Sequence, residues 1–234
     1  MARRLRIDVG GFVYHVLNRR VGRLTLFDRD NDYAAFLKVL GEAHTKLPMR
    51  LLAYCLMPNH WHLVLWPQRD GQLAAYMQWL TTTHMRRWHA HHGTRGTGPL
   101  YQGRYKSFPI QDDRHFLTVC RYVERNPLRA NLVDQAEEWP WSSLGRRRRR
   151  LPADWLLPLR TWPIAPSSNW TAIVNRAETD AELDALRRSV NRGAPYGEEG
   201  WQTRTAQRLQ LLSSLRPPWR PKGRKPPPRG PRRE

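Results

Sequence analysis

Residues 50–66, with the sequence RLLAYCLMPNHWHLVLW, decide the fold of this chain. They contain two mainly apolar runs separated by a Pro-Asn pair at positions 58–59, which is typical of a turn. In the second run the side chains alternate, so that His60 and His62 share one face while Trp61 points to the other. The stretch therefore predicts a β-hairpin with two imidazoles on one side and a core residue on the other.

The segments on both sides of this hairpin alternate between helical and strand patterns. Apolar residues at helical spacing predict helices, and short alternating or apolar runs predict strands. The predicted order is strand, helix, strand, strand, helix, strand, helix, over residues 11–19, 30–47, 50–57, 60–66, 71–89, 104–111 and 112–126. Pro127 is expected to stop the last helix. This order predicts an α+β, ferredoxin-like fold, an antiparallel sheet with helices covering one face.

The chain is strongly basic, with 40 Lys and Arg against 20 Asp and Glu and a net charge of +20. A surplus of this size indicates an anionic partner, most often nucleic acid. Its apolar runs are all shorter than the roughly 20 residues that span a bilayer. We therefore expect no membrane partner and a cytoplasmic, nucleoid-associated protein. Cys55 and Cys120 lie in apolar contexts and are expected to be buried free thiols.

Charge and composition divide the chain into three parts. A run of five arginines at 146–150 is expected to mark the end of a main domain over residues 1–145. Residues 146–215 are predicted to form a small helical extension, in which Thr179 and Glu182 make a capping box. Residues 216–234 are basic and rich in proline, and are expected to be disordered when free.

His60 and His62 form a candidate metal platform, because side chains at i and i+2 of a strand point the same way. They are a polar island in an apolar hairpin, and buried polar groups need a partner such as a metal ion or a phosphate. The alternative is an exposed pair of histidines that binds nothing. The other histidines are expected at the surface: His15 on the sheet, His84 on a helix, and His89, His91 and His92 at a solvated helix end.

Tyr122 is a candidate nucleophile on the predicted helix over residues 112–126. It lies between the apolar face and a stripe of arginines, with Asn126 one turn further on. A phenol has a pKa of about 10, so it needs a nearby cation or metal to attack a phosphate. The Asn126 carbonyl oxygen is a hard ligand that suits Mg²⁺ or Mn²⁺. The alternative is a tyrosine that only covers the core edge, and other tyrosines compete on composition: Tyr14, Tyr54, Tyr76, Tyr101 and Tyr105.

Four motifs in order resemble the single-tyrosine HUH transposases. Residues 57–64, MPNHWHLV, look like the HUH motif, and residues 101–108, YQGRYKSF, look like the segment before the catalytic helix. Residues 121–133, RYVERNPLRANLV, look like that helix and its exit, and residues 139–143, WPWSS, match a following signature. Over roughly residues 8–145 the chain is most similar to the REP-associated tyrosine transposases.

The resemblance implies an HUH endonuclease fold, which agrees with the ferredoxin-like prediction. It implies that His60, His62 and Asn126 bind Mg²⁺ or Mn²⁺, and that Tyr122 cleaves single-stranded DNA through a 5′-phosphotyrosine intermediate. The implied substrate is a DNA hairpin with a short single-stranded tag, bound by a monomer or homodimer. Candidates for contacts to the DNA backbone are Arg104, Lys106, Arg114, Arg121 and Arg125.

Two other functions fit part of the sequence. A non-catalytic protein that binds hairpin DNA or RNA on the same scaffold would explain the charge equally well, but it would need neither the second histidine nor Tyr122. A zinc hydrolase that uses His60 and His62 would need a third His, Asp or Glu beside an open coordination position. Replacing Tyr122 by phenylalanine separates a covalent nuclease from both alternatives.

Overall fold

The computed structural model describes residues 7–216. At its centre is a four-stranded antiparallel sheet in the order β2-β3-β1-β4. The strands are β1 Val13–Arg19, β2 Arg50–Met57, β3 His60–Trp66 and β4 Lys106–Ile110. The predicted hairpin is formed by β2 and β3, and β1 lies on the other side of β3.

Two crossover helices cover one face of the sheet, α1 Asp30–Lys46 and α2 Gln72–His91. α1 begins where the carboxylate of Asp32 accepts two backbone N–H groups, which satisfies donors that a helix start leaves unpaired. Trp61 is fully buried in the core between these helices and the sheet. The α+β, ferredoxin-like prediction is confirmed.

The opposite face of the sheet is covered as well, by α3 Arg114–Glu124 and α4 Asn126–Arg129. The sequence predicted one helix over residues 112–126 that Pro127 would stop. Instead the first helix ends at Glu124, and Pro127 lies in the first turn of α4. That prediction was wrong because proline lacks only the backbone N–H. In the first turn of a helix that N–H has no partner within the helix, so a proline is tolerated there.

The C-terminal part packs on this second face, against α3 and β4. Its helices are α5 Ser143–Arg148, α6 Trp170–Asn175, α7 Asp180–Arg192, α8 Glu199–Arg208 and α9 Leu212–Leu215. The capping box at Thr179 and Glu182 is present at the start of α7, as predicted.

Glu124 at the end of α3 joins the C-terminal part to the sheet. Its side chain is fully buried and accepts hydrogen bonds from Ser143 Oγ, Arg147 Nη1 and Trp170 Nε1, at 2.5, 2.6 and 2.8 Å. Arg146 donates from Nε to the hydroxyl of Tyr54 on β2. The start of the arginine run, which was expected to mark a boundary, therefore belongs to the packed structure. The division at residue 145 stays a prediction.

His84 was predicted on the surface of α2, but it is buried against the core. Its Nδ1 lies 2.6 Å from the hydroxyl oxygen of Tyr101, and burial lowers the pKa of His84 to about 3. The prediction was wrong because His84 continues the buried stripe of α2 that includes Leu80 and Trp88. Its polar partner comes from a later loop, so the helix pattern alone does not reveal it.

Cys55 and Cys120 are free and buried, as expected. Within residues 7–216, every helix is too short or too polar to cross a membrane. The basic tail predicted over residues 216–234 lies, apart from Arg216, outside the described residues.

Candidate active site

His60 and His62 lie on the sheet face that α3 covers. β3 places them two residues apart, with ring centroids 4.8 Å apart and ring planes nearly perpendicular. His62 is buried at the centre of the sheet, whereas His60 is partly exposed and its Nδ1 contacts the side-chain oxygen of Asn59. The open side of the pair therefore lies at the His60 end.

The two ring nitrogens of His62 each have a polar neighbour. Nε2 lies 2.8 Å from the side-chain amide nitrogen of Asn126, and Nδ1 lies 2.8 Å from Nε2 of His15. His15 was predicted on the sheet surface, and that prediction was wrong, since its side chain is fully buried. β1 lies next to β3, so His15 falls on the same face as His62, and α3 closes that face.

The three imidazoles of the site are held in their neutral form. Burial lowers the pKa of His15 to about 3, and His60 adds to the shift because a proton on one ring disfavours a proton on the other. Burial and the charges of Arg19 and Arg129 lower the pKa of His60 to about 3, and burial holds the pKa of His62 well below its usual value. A neutral imidazole nitrogen is the form that binds a metal ion, so these rings could act as ligands at neutral pH.

Tyr122 on α3 faces this group of rings. Its ring centroid lies 6.0 Å from that of His62 and 6.2 Å from that of His15, edge-on in both cases. The guanidinium of Arg129 lies 4.2 Å from the Tyr122 ring centroid. Sequence reasoning missed Arg129, although it lies only three residues after Asn126, at the end of α4. The structure thus brings together Tyr122, Asn126 and the two histidines of β3.

Carboxylates of the C-terminal part pair with three arginines: Arg121 on α3, Arg125 between the two helices and Arg129 on α4. Arg121 donates to Glu182 at 2.8 Å. Glu178, whose side chain is 1% exposed, accepts from Arg125 at 3.4 Å and from Arg129 at 2.9 Å. Arg121 and Arg125, which were predicted to contact DNA phosphates, thus already have anionic partners. The paired residues are 49 to 61 positions apart along the chain, so sequence spacing gives no signal for the pairs.

The other predicted DNA contacts are more accessible. Arg114 is largely exposed and forms a long ion pair with Glu198, at 3.5 Å, in which both side chains stay open to solvent. Arg104 and Lys106 are exposed and, with Arg19, line a cleft of about 310 Å³ between β1, the segment before β4 and the end of α7. Arg19 pairs with His60 in the sheet, so this basic cleft lies directly beside the histidines.

A second group of side chains could also hold a cation. Asp32, His91 and His92 offer ligand atoms that lie within 4.8 Å of one another, where α2 ends beside the start of α1. His92 Nε2 lies 3.0 Å from Asp32 Oδ1, and its ring stacks on Trp88. The group lies on the opposite face of the sheet from His62, so it is separate from the site around Tyr122.

Comparisons with known proteins agree with this fold and these motifs. The family model described as "Transposase IS200 like" matches residues 8–126. A Haemophilus influenzae protein named "Putative REP-associated tyrosine transposase" is 25% identical over 140 residues, which cover 56% of this chain and 78% of that protein. The solved structure of a REP-associated tyrosine transposase bound to a REP hairpin matches with a TM-score of 0.53 at 18% identity, over 68% of this chain and 92% of that one. At this identity the structural match shows a shared fold.

Proposed function

Since the chain belongs to the IS200-like transposase family, a family of enzymes that act on DNA, we propose that it is a single-strand DNA endonuclease and strand transferase. It cleaves beside DNA hairpins, the palindromic repeats of the REP type, through a 5′-phosphotyrosine intermediate. The observation that carries this proposal is the convergence of Tyr122 and Asn126, from two consecutive helices, on the histidine pair of β3.

His60, His62 and Asn126 are proposed to hold a divalent cation, Mg²⁺ or Mn²⁺. The donor set fits: His60 and His62 are neutral, and the Asn126 amide lies 2.8 Å from His62 Nε2. The two orientations of a side-chain amide differ only in whether nitrogen or oxygen faces the site, and the oxygen suits a hard cation. When bound, such a cation polarises the scissile phosphate and offsets the negative charge that develops on it.

Tyr122 is the proposed nucleophile. Its hydroxyl oxygen forms a bond to phosphorus while the bond from phosphorus to the 3′ oxygen breaks, and the phenolic proton is balanced by the proton that the 3′ oxygen gains. The products are a 5′-phosphotyrosine and a free 3′-OH. A second 3′-OH can reverse the step, because one phosphodiester is exchanged for another. The Arg129 guanidinium supports this role by bringing positive charge next to the Tyr122 ring.

The basic cleft beside His60 is the proposed path of the DNA strand. Arg19, Arg104 and Lys106 line it, so phosphates that approach the histidines would meet positive charge. Arg121 and Arg125 are proposed to contact the DNA backbone only when phosphates replace their glutamate partners. A monomeric or homodimeric state and a cytoplasmic, nucleoid-associated location stay predictions.

The experiment uses labelled single-stranded hairpin oligonucleotides taken from palindromes that flank the gene, incubated with the protein in Mg²⁺ or Mn²⁺. A covalent protein–DNA band on a denaturing gel is the expected result, and EDTA, Tyr122→Phe and His60→Ala should each abolish it. Tyr33→Phe and His44→Ala are matched controls away from the site, and both should keep the band. Tight binding without a covalent band, on every strand tested, would instead favour a non-catalytic binder of hairpin DNA or RNA.

A further inference from the structure

His15 is a buried histidine to which the proposed chemistry gives no task. It lies in the middle of β1, and its ring is nearly parallel to that of His62, with centroids 5.0 Å apart and an interplanar angle of 9°. The edge-on rings of Phe108 and Tyr122 flank it at 5.0 and 6.2 Å. His15 is therefore packed tightly on several sides, and its polar contact is the one to His62 Nδ1.

We propose that His15 is a positioning residue that holds the His62 ring with Nε2 facing the divalent cation. This inference rests on the proposed function, since it concerns the cation that His60, His62 and Asn126 would share. His15 itself does not touch the cation or the DNA.

The two polar contacts of the His62 ring fix its orientation. A half-turn about its Cβ–Cγ bond would exchange each ring nitrogen with a carbon. Both polar contacts of the ring, to His15 and to Asn126, would then be lost at a buried position. The contact at Nδ1 therefore selects one of two ring orientations even when Asn126 turns its amide toward a cation.

The contact between His15 and His62 also constrains the protons of both rings. Between two neutral imidazoles, one ring nitrogen donates and the other accepts. If His62 Nε2 gives its lone pair to a cation, its proton lies on Nδ1 and is donated to His15 Nε2. His15 then carries its own proton on Nδ1, a buried atom with no hydrogen-bond partner among residues 7–216. In the opposite form His62 carries a proton on Nε2, which blocks the cation.

A metal-bound histidine usually donates its other N–H to a fixed acceptor, which orients the ring and makes it a stronger ligand. His15 Nε2 is at the right atom and distance for that acceptor, 2.8 Å from His62 Nδ1. A residue that replaces His15 must therefore place a hydrogen-bond acceptor at the position of the His15 Nε2. A glutamine side chain places its amide near that position, whereas an asparagine places the same amide near Nδ1 and cannot reach His62.

The test measures Mn²⁺ binding by electron paramagnetic resonance on the full chain without DNA, so that it does not depend on cleavage. His15→Asn should weaken Mn²⁺ binding by about 10- to 100-fold, the usual effect of removing such a partner. His15→Gln should recover most of that loss. His84→Leu is the matched control, because His84 is also a buried histidine with one polar partner but lies on the other side of the sheet. Thermal unfolding of each variant checks that it is folded.

Two results would overturn the inference while leaving the proposed function in place. One is Mn²⁺ binding in His15→Asn equal to that of the unchanged protein. The other is an equal loss in His15→Asn, His15→Gln and His84→Leu, which would mean general damage. If the unchanged protein binds Mn²⁺ in a way that His60→Ala does not affect, the proposed metal site itself fails, and the inference fails with it.

Discussion

Replacing Glu124 by leucine should destabilise the protein strongly, because this carboxylate is the buried partner of three donors. Leucine has a similar size but accepts no hydrogen bond. Trp170 Nε1, on a residue that is 4% exposed, would lose its acceptor, and an unpaired buried donor costs about 1–3 kcal/mol. Arg147 would lose its ion pair but keep the carbonyl oxygen of Leu52 at 2.6 Å. Breaking a buried ion pair costs about 3–5 kcal/mol in all, a large share of the roughly 5–15 kcal/mol that stabilises a typical protein.

The measurement is urea unfolding, in which Glu124→Leu should lower the midpoint without changing the slope. The control is Glu42→Leu, which removes the partner of Arg87 in a largely exposed ion pair and should cost about 0–1 kcal/mol. If the two variants lose the same free energy of unfolding, the buried network around Glu124 does not stabilise the fold, and the reasoning is refuted.

Two further predictions concern pH and salt. In the folded state the pKa of His84 is lowered to about 3, whereas in the unfolded chain it is near 6.5. Between pH 3 and 6.5 the unfolded chain therefore binds a proton on His84 that the folded chain does not. The contribution of His84 to stability is therefore full above about pH 6.5 and falls by about 1.4 kcal/mol per pH unit below it. His84→Leu should make the acid side of a curve of stability against pH shallower. An unchanged slope would contradict the lowered pKa of His84. Lys106→Ala should weaken hairpin binding and reduce the slope of log affinity against log salt by about 1. Lys38→Ala, on the exposed side of α1, should leave that slope unchanged, and equal slopes for both variants would remove Lys106 from the DNA path.

The strands and crossover helices could be predicted because their signals are local. The apolar runs around the Pro-Asn turn at 58–59, and the helical spacing that follows Asp30, each lie within one element. The pairing of His60 and His62 on one face is likewise a property of a single strand. The closeness of Tyr122 and Asn126 could be predicted because they are one helical turn apart. The short helix that contains Pro127 was not predicted.

The missed features depend on which elements become neighbours in space. His15 looks like a surface residue of β1 until the strand order places it beside β3 and α3 closes that face. Arg147 looks like part of a solvated charge run until a buried carboxylate 23 residues away is known. Arg121 was assigned to phosphates because a stripe of arginines is normally solvated, yet Glu182 reaches it from the C-terminal part.

The bridge from Glu178 to Arg125 and Arg129 has a consequence for the evolution of this family. A relative that ends before position 178 would leave both arginines without their carboxylate, and Arg129 would lose the partner that holds it over the Tyr122 ring. A substitution at one of the three positions would then favour compensating substitutions at the others. We therefore expect positions 125, 129 and 178 to covary among homologues, and the C-terminal part to be gained or lost only together with a change on the tyrosine helix.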